Sequence, residues 1–207
     1  MKTNYKKIIV YILLICGISF GITLTMKANV GVDAWDALSQ SGSAITKIPI
    51  GTVGMCLNFI CIFIQFIILR NNFKFKHVLQ IGLSILLGFS VNFFYYHLLG
   101  NLNVNSYIFR ILLLIIGNII NAFVVAQIML LDIVTFPLEG ACKAFADKVG
   151  ISFPKLRQGV DIISIIIVVL LSIIFKIDLY VREGTIIGML IFSPMMGYFM
   201  RISKFHN

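Results

Sequence analysis

Residues 28–54 read ANVGVDAWDALSQSGSAITKIPIGTVG, and the fold turns on what this stretch does between its neighbours. Apolar runs flank it at about 8–26 and 50–69, each close to the roughly 20 residues a helix needs to cross about 30 Å of hydrocarbon. The stretch itself carries two carboxylates, Asp33 and Asp36, the single Trp35, and a Pro49-Ile50-Gly51 exit. Asp33 can cap a short helix, with Asp36 three residues on in a variant of the capping box. Trp35, Leu38 and Ile45 recur at helical spacing, with Gly42 on the same face. This predicts an amphipathic helix that packs those side chains on the bundle or the interface and leaves Ser39 and Ser43 on a more polar side. It is too short to span, so it lies at the interface or dips in as a re-entrant element.

Hydrophobic residues make up 59% of the chain and charged residues 12%, about half the charged share of a soluble domain. Further apolar runs of spanning length fall at about 78–99, 107–130, 155–175 and 184–200. In lipid each run must satisfy its own backbone hydrogen bonds, which selects helices; the short alternating segments of a β-barrel are absent. The expectation is an all-α polytopic membrane protein, a single membrane domain over residues 1–207 with six transmembrane helices. A net charge of +9 would suggest nucleic acid in a soluble protein. Here Lys and Arg cluster beside the apolar runs, where orientation on the membrane explains them, so the bilayer is the expected partner and nucleic acid is not. The run after Lys7 outlasts a signal-peptide core and lacks a small-x-small cleavage site. Within it, Gly17 and Gly21 have the spacing that lets a neighbouring helix approach closely. Cys16, Cys56, Cys61 and Cys142 form no CxxC pair and read as small buried hydrophobes.

A weaker copy of the opening stretch stands at 131–157, LDIVTFPLEGACKAFADKVGISFPKLR. A shift of 103 residues brings Asn29 onto Asp132 (29 to 132), Asp36 onto Glu139 and Asn58 onto Asp161. Pro137 suits the first turn of a second short helix, Gly150 its end, and Pro154 the start of the following span. Each half then reads as span, short helix, span, span, with repeat 1 at about 1–100 and repeat 2 at about 104–204. Three spans per half make the second half enter from the opposite side. Placing both termini inside leaves twelve Lys and Arg inside and five outside: Lys27, Lys47, Arg110, Lys176 and Arg182. Two inverted three-helix repeats, with cytoplasmic termini, are the arrangement this predicts.

The segment ANVGVDAWDALSQ, followed by IPIGTVG and a long apolar span, resembles the YczE/YyaS/YitT-type bacterial integral membrane proteins. The matching residues are Ala28, Gly31, Trp35, Asp36, Gly51 and Thr52; many of those proteins place Pro before the Trp, where this chain has Ala34. The resemblance implies a six-span protein of the bacterial cytoplasmic membrane, in a group of mostly unknown function, some of whose members are classed with exporters. It implies no substrate.

Five of the eight acidic residues fall in the two short-helix stretches, and Asp161 lies in a span. A carboxylate at bilayer depth costs on the order of 3 kcal/mol on insertion scales, which makes each one a functional suspect. Asp36 and Glu139 read either as complements to helix N-termini or as a substrate- or proton-binding pair, one from each half. Asn29, Asp132, Asn58 and Asp161 join them as candidates through the repeat. Asp161 also stands four residues after Arg157, the spacing of a helix-surface ion pair. Asn92, Asn118 and Asn121 read as interhelical hydrogen bonding, and Trp35 as an interfacial anchor. No nucleotide, hydrolase or metal-ligand motif is present, so neither enzyme activity nor a cofactor or metal is expected. Two functions remain open: a small secondary transporter or exporter of a small, cationic solute with its site between the repeats, or a non-transporting accessory or scaffold protein. Either leaves room for a homo-oligomer.

Overall fold

The computed structural model describes residues 2–131 and 133–204, with the side chains of 2–6, 193 and 204 set aside. Its elements are α1 (Lys2–Ala28), α2 (Ala34–Thr46), α3 (Ile50–Leu69), α4 (Phe75–Asn92), α5 (Tyr107–Leu131), α6 (Pro137–Val149), α7 (Phe153–Phe175) and α8 (Glu183–Lys204). A 3-10 turn, Arg70–Asn72, joins α3 to α4, and a π-helical turn, Phe93–Leu98, prolongs α4. Among the described residues six helices are long and apolar enough to cross a membrane: Lys7–Ala28, Ile50–Asn72, Phe75–Leu98, Tyr107–Leu131, Phe153–Phe175 and Glu183–Ser203. They match the six runs read from the sequence within a few residues. The remaining two, α2 and α6, have 13 residues each, about 20 Å of helix.

Large apolar side chains such as Leu13, Phe63, Ile108, Ile173 and Leu190 are exposed, while Ser19, Thr23, Gln65 and Ser84 are fully buried. That distribution suits hydrocarbon outside and polar contacts within.

The chain divides into two compact units, each drawn from separated parts of the sequence. One holds residues 1–33, 90–132 and 180–207, and so α1, α5 and α8. Here α1 packs along α5, and α8 packs on α5. The first contact depends on glycine: a Cβ at Gly117 would stand 2.9 Å from the Gly21 carbonyl and 2.7 Å from Thr25 Cγ2. The close approach expected at Gly17 and Gly21 is therefore made, against Val124, Gly117 and the Asn121 carboxamide. The expectation for the asparagines differs in detail. Asn118 donates to Leu114 O on its own helix at 3.0 Å, and Asn121 Oδ1 is buried without a hydrogen-bond partner. Each carboxamide instead fills space left by a glycine, Gly188 and Gly21 respectively.

After α1 the chain turns through Asn29 and Gly31, both at positive φ (51° and 106°). Gly31 is suited to its conformation because it lacks a Cβ. The following turn clamps this segment: Gly184 N–H donates to Val30 O (2.7 Å), Thr185 Oγ1 to Val32 O (2.6 Å), and Val32 N–H to Tyr180 O (3.2 Å).

The other unit holds residues 34–89 and 133–179. Within it, α3 packs on α2 and α6, and α7 likewise packs on α2 and α6. Pro49, extended at φ −54° and ψ 140°, sets the start of α3. Gly42 lets α2 meet Val53, and Gly54 comes up to Ser39. Pro137 opens α6 and Gly150, in the left-handed region, closes it by donating to Ala146 O. Pro154 stands in the first turn of α7.

The inward face of α2 corrects the sequence reading. The helix forms as expected, but its buried residues are Ala34, Ala37, Ser39, Gln40 and Ser41, while Leu38 and Ile45 are only half-buried. The small and polar stripe packs inward because α2 and α3 approach too closely for larger side chains, and lipid removes the cost of leaving Leu38 uncovered.

Candidate functional site

Several polar groups of the second unit meet at the first turn of α6, Pro137–Gly140. Pro137 lacks an N–H and its φ suits a helix start, which fixes where the turn begins and leaves Glu139 in it. On one side stand two carboxamides from apolar helices. Gln65, fully buried on α3, donates from Nε2 to Gln80 Oε1 of α4 (2.9 Å) and to Pro137 O (3.0 Å), with Cys61 O at 3.4 Å. Its Oε1 is buried with no hydrogen-bond partner and faces Gly140, where an added Cβ would lie 2.5 Å away. Rotating the amide by half a turn would forfeit the bonds to Gln80 and Pro137, so the free acceptor is held in place.

On the other side, Arg157 of α7 stands between two carboxylates. Its Nη1 donates to Asp161 Oδ1, and its Nε lies 3.8 Å from Glu139 Oε1. The i, i+4 pairing anticipated for Arg157 and Asp161 is thus present, and Glu139 joins it from a neighbouring helix. Beneath them Cys61, Leu138, Ala141 and Cys142 form an apolar cluster, packed by Trp35, Leu156 and Val160. Trp35 therefore contributes to this core. Burial pushes the Cys142 thiol up, with Glu139 and Asp161 adding to the rise and Arg157 opposing it.

Asp36 lies half-buried in the first turn of α2, which packs on α7, and Asn58 is buried on α3. Asp36, Glu139, Asn58 and Asp161 thus belong to the same unit. Of them, Glu139 and Asp161 share a partner in Arg157. Gly51 is buried at the start of α3, beside Gly88 of α4, and Thr52 N–H donates to Pro49 O. Asn29 belongs to the first unit, as does Gly31, and Asp132 lies outside the described residues. Gln65, Gln80 and the Arg157–Glu139 contact were not singled out from the sequence. The rule that flagged Asn58, a polar side chain inside an apolar run, would have flagged both glutamines.

Six membrane-length helices with hydrocarbon outside and a polar group at a short helix within define a multi-pass membrane protein. Over residues 5–201 the chain matches a family described as "Family of unknown function (DUF6198)", and it belongs to that family. No curated protein and no solved structure matches it.

Proposed function

We propose that the protein is a small secondary transporter or exporter whose site lies between two inverted repeats, at the first turn of α6. The carrying observation is the polar group there: Glu139 and Asp161 around Arg157, and a fixed, unfilled carbonyl on Gln65, all beside a helix too short to span. Two carboxylates against one guanidinium leave about one negative charge, which suits a small cationic solute that displaces Arg157, or a proton. The helix N-terminus opposes this, since its positive end favours the bare carboxylate.

The repeat draws support from the helix bounds. α2 and α6 have equal lengths and start 103 residues apart (34 to 137), and the starts of α3 and α7 are offset by the same 103 residues (50 to 153). It also draws support from packing, because α2 lies on α7 while α3 lies on α6, and α1 lies on α5. Short, broken helices at a repeat boundary are where transporters of this design hold solute and ion. The YczE/YyaS/YitT-type resemblance, residence in a bacterial cytoplasmic membrane with cytoplasmic termini, and a non-catalytic role belong to the same proposal.

The test is flux into liposomes made with the purified protein and a trapped pH dye, using tetramethylammonium, ethidium and tetraphenylphosphonium under a pH gradient. A cation-dependent pH change that Glu139→Gln abolishes and Asp36→Asn diminishes is the expected result. A folded parent protein that moves neither protons nor any of these cations would favour the accessory or scaffold role.

A further inference from the structure

A second polar feature lies in the first unit. A cleft of about 390 Å³ is lined by Lys27, Asn29, Leu102, Asn103, Val104, Asn105 and Arg110. At about 30 Å³ per water, it has room for roughly a dozen waters or a hydrated ion of comparable size. Lys27 comes from the last turn of α1 and Arg110 from the first turn of α5. Asn29 follows α1, and residues 102–105 belong to the loop that leads from the π-helical turn into α5.

Both cations are held by neutral groups. Lys27 Nζ stands 3.4 Å from Gly100 O and 4.3 Å over the Tyr95 ring, and Arg110 Nε donates to Val104 O at 2.7 Å. Arg182 Nη1 reaches the same rim, donating to Asn29 O at 3.3 Å, while its Nη2 pairs with Glu183 at 3.2 Å. Among the described residues no carboxylate forms an ion pair with Lys27 or Arg110. Two like charges lining one cleft repel each other, and carbonyl dipoles position them without cancelling that charge. An anion between them does cancel it, and the Asn29, Asn103 and Asn105 carboxamides add N–H donors that suit oxyanion oxygens.

We infer that this cleft binds a phosphate group through Lys27 and Arg110, with Asn29, Asn103 and Asn105 as neutral donors. Its position at span ends is the depth at which lipid phosphates lie, so the group can arrive on an anionic headgroup or as free phosphate. The inference does not depend on the transport reading, because it concerns different residues and a different reaction of the molecule.

The purified full chain, in detergent, is examined by native mass spectrometry for retained phosphatidylglycerol and by thermal shift with inorganic phosphate, sulfate as comparison. Lys27→Gln/Arg110→Gln is set beside Lys143→Gln/Lys148→Gln, which removes the same charge from α6. The expected result is at least a tenfold loss of lipid retention or phosphate affinity in the first variant only, with Lys27→Arg/Arg110→Lys retaining most of it. Retention of the lipid with no phosphate response identifies the headgroup as the source; a phosphate response that competes with lipid identifies the free ion as a further occupant. Equal lipid retention and equal phosphate response in the parent and Lys27→Gln/Arg110→Gln, with circular dichroism showing both folded, would overturn the inference.

Discussion

Gly184→Ala tests the clamp that ties the segment after α1 to the start of α8. Gly184 N–H donates to Val30 O at 2.7 Å, and a Cβ on residue 184 would lie 2.5 Å from that same oxygen, 2.8 Å from Gly31 O and 2.9 Å from Val30 C. All three are backbone atoms, so relief requires the whole turn to move. Overpacking of this kind costs about 1–3 kcal/mol, and weakening the hydrogen bond adds about 1. Replacing Gly by Ala in a helix returns about 0.5–1 kcal/mol. The net is a loss of about 1–3 kcal/mol, or roughly 5- to 150-fold in the unfolding equilibrium at 1.4 kcal/mol per tenfold. Gly197, on the same helix, has nothing within 4 Å of its added Cβ, so Gly197→Ala should be neutral or stabilising by up to about 1 kcal/mol. Unfolding of both variants in mixed micelles of mild detergent and dodecyl sulfate reads the difference directly. A Gly184→Ala protein as stable as the parent would show that the clamp is absent in the folded molecule.

Further outcomes follow from other contacts. In a background lacking native cysteines, Asn103→Cys should react with an impermeant thiol reagent on intact cells and Asn72→Cys only after permeabilisation; the reverse would refute the inverted arrangement with inside termini. Double-mutant cycles should give Arg157 and Asp161, each about a quarter exposed, a coupling of about 1 kcal/mol. Arg157 and Glu139, farther apart and more exposed, should couple by less than about 0.5, and equal values would contradict the geometry. The buried Cys142 thiol, raised by desolvation, has less thiolate at neutral pH than a free cysteine. Maleimide should therefore label Cys142 in a variant retaining it alone only after unfolding, and rapid labelling of the native form would deny its burial.

The span count was legible because it needs only length and hydropathy, and lipid offers the backbone no alternative to a helix. The bounds of α6 were legible for a local reason, Pro137 at its start and Gly150 at its end. The inward face of α2 was not. Helical spacing of Trp35, Leu38 and Ile45 marks a face, of which Trp35 does pack into the core, but it does not show that Ser39, Gln40 and Ser41 turn inward, because the rule that polar residues face outward assumes water there. At the candidate site the acidic residues could be found because charges are scarce in this chain. The pairing of Glu139 with Arg157 depends on how α6 meets α7, and the anchoring of Gln65 on Pro137 O depends on how α3 meets α6. Neither contact has a sequence spacing that betrays it.

The partnership of α2 with α7 has a consequence for synthesis. Translation at about 5–20 residues per second separates the end of α2 at Thr46 from the end of α7 at Phe175 by roughly 6–26 s. Throughout that interval α2 has at most α3 to lie against, and not α7. The nascent chain is thus inserted well before it can be packed, and membrane proteases and chaperones meet it in that window. A break in the chain within residues 101–105, after the first three long helices have been made, would leave each fragment waiting for the other rather than folding as a small protein.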